Sequence, residues 1–151
     1  MESKKLIHRS NYSYFQSIST RWSDNDVYGH INNVVYYSYF DTIANQYLIE
    51  CANFNPSSAP IIGLVAHSNC TYSKAIAYPD KIEAGLSVKK LGNSSVTYGI
   101  GIFKKNENTP CAYGEFIHVF VDRKTKLTLS DSLVRVHVQI CFDYYYFKTK
   151  T

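Results

Sequence analysis

Between residues 33 and 51 the bulky side chains Tyr36, Phe40, Ile43, Ala44, Tyr47 and Cys51 recur every three or four positions. That is the spacing of one helix face, and it predicts a long amphipathic helix of about five turns. Asn32 or Asn33 can cap its start, because an asparagine oxygen accepts from the unpaired N–H groups of a first turn. The helix should fade over residues 51–55, since Pro56 cannot continue it.

Elsewhere the period is two. Residues 12–21 alternate, with Tyr12, Tyr14 and Ile18 on one side, and predict a strand. Residues 61–74, 81–91, 95–104 and 111–122 are rich in β-branched and aromatic residues, and turn-forming clusters separate them. Strands spaced this closely without helical periods predict hairpins, hence an antiparallel meander. A further alternation of Val134, Val136, Val138, Ile140 and Phe142 predicts a sixth strand in the tail. One striped helix and one half-apolar sheet would bury each other, so the class is α+β.

Length and composition narrow the picture. A chain of 151 residues fits one domain with a real core. The expected division is a flexible lead-in over residues 1–12, the folded domain over 13–130 and a C-terminal extension over 131–151. Tyrosine is unusually abundant, at 14 residues, and buried phenols need partners, which suits a polar-tipped pocket or an interface. The net charge of +4 is compatible with a polyphosphate ligand. No basic run or glycine–aromatic motif points to nucleic acid. Cys51, Cys70, Cys111 and Cys141 lack metal-ligand spacing and read as reduced thiols, so no metal is expected. No apolar stretch long enough for membrane insertion occurs, and a cytoplasmic location is expected. The leader carries Lys4, Lys5 and Arg9 but also Glu2, which gives a mitochondrial address no support.

The remaining block, Ser23-Asp24-Asn25-Asp26-Val27-Tyr28-Gly29-His30, is turn chemistry: Asp and Asn bond their own backbone, and Gly tolerates positive φ. With its flanks it runs from Arg21-Trp22 through Asp24 and Asp26 to Gly29-His30-Ile31-Asn32-Asn33 and Tyr36. This ungapped stretch resembles the signature of hot-dog-fold acyl-CoA thioesterases of the 4-hydroxybenzoyl-CoA thioesterase type. Leu91-Gly92-Asn93-Ser94-Ser95 resembles that family's turn between central strands, and His118-Val119-Phe120-Val121-Asp122 its last long strand. The resemblance covers residues 13–125; the tail after Ser130 departs from it.

The resemblance implies a hot-dog fold, one long central helix wrapped by a curved antiparallel sheet of about five to six strands. It also implies a homodimer or homotetramer, which would cover the open sheet edges. The implied reaction is hydrolysis of an acyl-CoA thioester, with coenzyme A entering only as part of substrate and product and no separate cofactor. Asp26 matches the catalytic carboxylate, as nucleophile or general base. The Asn33 N–H matches the donor that polarises the carbonyl, at a helix start whose free N–H groups carry partial positive charge. Asp24 reads as structural, bonding loop amides or Arg21. His30 is a candidate acid–base group, although a histidine in a tight turn more often orients its neighbours.

For binding, Asn32 and Tyr36 flank the reacting region, with Tyr37, Phe40 or residues 61–64 available to an acyl group. Lys89, Lys90, Asn93, Ser94 and Ser95 surround one strand turn and suit phosphates, though they equally suit a solvated hairpin. Arg123 and Lys124 form a second phosphate candidate. A non-catalytic hot-dog module that binds acyl-CoA or engages a protein is the alternative. A hot-dog dehydratase is disfavoured, because the helix offers Asp41 and Glu50 but no histidine.

Overall fold

The computed structural model describes residues 7–129, so the alternation predicted over residues 133–142 and the extension 131–151 lie outside the described residues. In chain order the elements are β1 (Tyr14–Ser19), α1 (Asn33–Ala52), β2 (Ile61–Ser68), β3 (Thr71–Tyr72), β4 (Lys81–Leu91), β5 (Ser95–Lys104) and β6 (Ala112–Asp122). They form the hot-dog arrangement: one long helix packed on a six-stranded antiparallel sheet.

All six residues of the predicted helical stripe are buried, and Tyr39 and Leu48 widen it. The stripe meets the inner sheet face, where register aligns Ala84, Ile102 and Ala112 across β4, β5 and β6, and then Leu86 beside Ile100. Phe40, Ile43, Leu86, Ile100 and Ile102 are fully enclosed, and each such side chain contributes roughly 1.5–3 kcal/mol by leaving water. Helix α1 ends as Asn53 turns left-handed (φ 51°), ahead of Pro56.

Three expectations need correction. The sheet order is β1-β4-β5-β6-β2, so only β4, β5 and β6 form a meander. The chain leaves α1 at the far side of the sheet, where β2 pairs with β6, while β1 pairs with β4. The strand predicted over 61–74 breaks after Ser68 and resumes only as the two-residue β3. A register shift between Val65 and His67 precedes the break.

Tyr12 is the third correction. The predicted alternation places it with Tyr14, whereas a 3₁₀ turn at Arg9–Asn11 precedes β1, and Tyr12 packs edge-on against Phe103 on the outer sheet face. Gly101 makes room for it: a Cβ there would sit 2.8 Å from the Tyr12 hydroxyl. Of the lead-in expected to be flexible, Arg9 holds Glu83 at 2.7 Å and lies over the Phe15 ring.

Candidate active site

The turn-rich block folds into two consecutive devices. The first is a 3₁₀ turn at Trp22–Asp24 that buries Asp24 almost completely. Its carboxylate accepts from the Arg21 N–H at 2.8 Å, Arg21 Nε at 3.0 Å and the Tyr39 hydroxyl at 2.8 Å. Burial alone would raise its pKa, but the Arg21 N–H, the Tyr39 hydroxyl and the Arg21 guanidinium outweigh burial and hold it below the ordinary 3.8. Asp24 therefore ties the turn to α1, the structural part its neighbours suggested.

The second device carries Asp26. Its N–H donates to the His30 carbonyl at 2.8 Å, its carbonyl accepts from Gly29 at 3.1 Å, and its Oδ1 accepts from the Tyr28 N–H at 2.8 Å. Gly29 takes φ +81°, where a side chain is strained, so the turn closes in few residues. A bridge between Asn25 and Ile31 closes the neck, and Ile31 donates to the Ile76 carbonyl at 2.7 Å.

The chain then enters α1. The Asn32 N–H donates to the Asp24 carbonyl at 2.9 Å, and its side chain caps the helix by accepting from Val34 N–H at 3.2 Å. Of the two cap candidates the structure uses Asn32. The next residue is left open: among the described residues, the Asn33 N–H has no hydrogen-bond partner.

A cavity of about 400 Å³ brings these groups together, its lining including Asp26, His30, Asn33 and Tyr36. Tyr72, Ser73 and Lys74 also line it. Tyr36 is buried, and loss of solvent, followed by the fields of Cys111 and Cys70, pushes its phenol up to about 12. It stays protonated at neutral pH and serves as wall. Sequence reasoning missed the Tyr72–Lys74 wall because it lay inside a stretch read as continuous strand. The short run between Asn69 and the Tyr78-Pro79 turn was the available signal.

The other candidates are elsewhere. Lys89 lines a separate cavity of about 370 Å³ with Tyr12, Tyr113 and Glu115, and Lys90 is exposed beside a strand bulge. Asn93 and Ser94 form the β4–β5 turn, where the Ser94 carbonyl accepts from Phe120 at 2.7 Å; Ser95 starts β5. Tyr72 pairs with Ala112, which pairs with Ile102, so Ser95 lies seven residues away along β5, roughly 23 Å. One chain does not bring this turn to Asp26. Arg123 spends its guanidinium on the Ala59 and Pro56 carbonyls, at 2.6 and 2.5 Å. Phe40 is fully enclosed core, while Tyr37 is half-buried. Cys70 and Cys111 are free thiols.

Comparison with known proteins places this geometry. The sequence profile of the thioesterase superfamily matches residues 28–111. The chain belongs to that superfamily. The match spans His30, Asn32, Asn33 and Tyr36 but begins two residues past Asp26, so it does not speak to the carboxylate. The crystal structure of the PA5185 protein from Pseudomonas aeruginosa strain PAO1 is similar at 44% identity, over 93% of this chain and 94% of that one, with a TM-score of 0.83. The Bacillus subtilis (strain 168) protein YsmA is 25% identical over 81% of this chain and 82% of its own. A DHNA-CoA thioesterase from Staphylococcus aureus shares the fold, with a TM-score of 0.75 at 21% identity over 90% and 93% of the two chains.

Proposed function

We propose that this protein hydrolyses acyl-CoA thioesters to the free acid and coenzyme A. The observation that carries the reading is the pairing in one cavity of the Asp26 carboxylate with a helix-start N–H, that of Asn33, which no described residue uses.

Thioester hydrolysis places negative charge on the carbonyl oxygen as the carbon is attacked. A fixed N–H at the positive end of α1 stabilises that charge, and one such donor is commonly worth roughly 10²–10³ in rate. Asp26 supplies the other half in one of two ways. Its carboxylate attacks the carbonyl carbon, expels the CoA thiolate and forms a mixed anhydride that water then hydrolyses. Alternatively it takes a proton from water, and the resulting hydroxide attacks. In either route the thiolate leaves and takes up a proton. His30, whose carbonyl holds the Asp26 N–H, orients the loop.

The strand-turn residues Lys89, Lys90, Asn93, Ser94 and Ser95 bind the CoA phosphates in this reading. The distance to Asp26 must then be spanned by the extended arm of coenzyme A or shortened by a second copy of the chain. A homodimer has support in β2, an edge strand of the described sheet, on which Leu64 and Val65 are about half exposed. Among the described residues no helix is long and apolar enough to cross a membrane.

The test is thiol release from short, long and aromatic acyl-CoAs, comparing the natural protein with Asp26→Asn. Turnover that collapses in the variant supports the reading. Equal rates would remove Asp26 from the mechanism, and no turnover of any substrate by folded protein would favour a binding module.

A further inference from the structure

We infer that Tyr72 is a positioning residue for the thioester carbonyl site, acting by clamping the first turn of α1; this rests on the function proposed above. Tyr72 lines the same cavity as the helix start, and its hydroxyl donates to the Asn33 carbonyl at 3.1 Å. Its ring meets Tyr36 edge-on, with centroids 5.1 Å apart. Both contacts tie Tyr72 to the first turn of α1, which carries the open Asn33 N–H.

The clamp is anchored outside the helix. Tyr72 belongs to β3, whose two residues pair with Tyr113 and Ala112 of β6. The Ser73 and Lys74 N–H groups both donate to the Cys111 carbonyl, at 2.7 and 3.0 Å. Lys74 Nζ reaches Glu107 at 3.0 Å and Thr109 Oγ1 at 3.3 Å. A short strand that contributes little to the core, with Tyr72 45% exposed, is thus held firmly to the sheet and placed against the helix start.

Other restraints on that start come from its own loop: the Asn32 cap and the Asn32 link to Asp24. The cap holds the Val34 N–H, which shares a peptide unit with the Asn33 carbonyl, and the Asp24 link holds the residue before Asn33. Tyr72 grips the carbonyl of that same peptide from outside the loop, so the unit is held at both its N–H and its carbonyl. Oxyanion donors lose effect steeply when misplaced, and a shift of about 1 Å can cost roughly 100-fold in rate. The phenol remains a donor across the neutral range, because loss of solvent, followed by its bond with Cys70, raises its pKa above the ordinary 10.0.

The experiment compares full-length Tyr72→Phe with the natural protein, since phenylalanine keeps the ring contact and removes only the hydroxyl. With the best acyl-CoA of the panel, kcat should fall about tenfold with KM within about twofold. Tm should fall by no more than about 4 °C, as expected for one half-exposed hydrogen bond. Amide exchange at Tyr37, whose N–H bonds the same carbonyl in the helix, should quicken. Unchanged kcat overturns the inference, as does a kcat loss accompanied by a large fall in Tm. If the natural protein hydrolyses no thioester, the proposed function fails and the positioning role of Tyr72 in it fails as well. Unchanged Tyr37 exchange would, independently of any activity, overturn the clamp itself.

Discussion

The Tyr39 hydroxyl donates to Oδ2 of Asp24 at 2.8 Å in the buried seam between α1 and the loop that carries Asp26. The same carboxylate holds Arg21, and the Asp24 carbonyl receives the Asn32 N–H, so one residue joins loop, helix and cap. Asp24→Ala should therefore destabilise by about 2–4 kcal/mol, because it leaves a buried hydroxyl and an N–H unpaired. Tyr39→Phe should cost less, about 1 kcal/mol, and the double variant should fall short of the sum. Urea unfolding of the four proteins checks both statements.

Gly29 offers a test of loop geometry rather than chemistry. Its φ of +81° is left-handed, yet a Cβ added there would meet no described residue within 4 Å. Gly29→Ala should thus cost about 1–2 kcal/mol through backbone conformation alone. Because the strain sits between Asp26 and His30, kcat should fall more than stability suggests. Parallel thermal unfolding and initial-rate measurements separate the two.

His118 predicts a pH dependence. It is enclosed by Tyr98, Phe116 and Phe120 rings, and among the described residues its Nδ1 has no hydrogen-bond partner. Burial lowers its pKa below 6.5, only partly opposed by the field of Asp41. The unfolded chain then binds a proton that the native protein refuses. Stability from this source is fully present above about pH 6.5 and is lost as pH falls from there toward the depressed native value. His118→Phe should flatten unfolding free energy between about pH 7 and 5; an unchanged slope would assign the dependence to other groups.

Lys89→Ala and Lys90→Ala test phosphate binding. Exposed lysine–phosphate contacts are worth at most about 1 kcal/mol each, so KM should rise roughly two- to fivefold with kcat unchanged. The effect should shrink at high salt. Unaltered KM at low salt would leave the β4–β5 turn a solvated hairpin.

Much of this molecule was legible in advance because it is local. The stripe from Tyr36 to Cys51 marks a helix face whatever that face meets, and Asn32 caps through a bond to Val34 two residues away. The loop from Asp24 to His30 closes through its own backbone and side chains, so its residues predict its shape. Tyr12 misled for the same reason. Its alternation with Tyr14 was real in the sequence, but the 3₁₀ turn before β1 and the Gly101 gap on the outer face decided where the ring went.

Residue type and short-range periodicity sufficed for the helix, for β4, β5 and β6, and for a carboxylate-bearing turn before a helix start, but not for the break after Ser68. Long-range packing was needed to show that β2 pairs with β6, that Tyr72 meets Asn33, and that Lys89 to Ser95 lie at the other end of the sheet from Tyr72. Side-chain periodicity states which face of an element is apolar and leaves its neighbour unspecified. Which strands pair, and which residues meet across a cavity, is set by the burial of the whole inner sheet face against one helix.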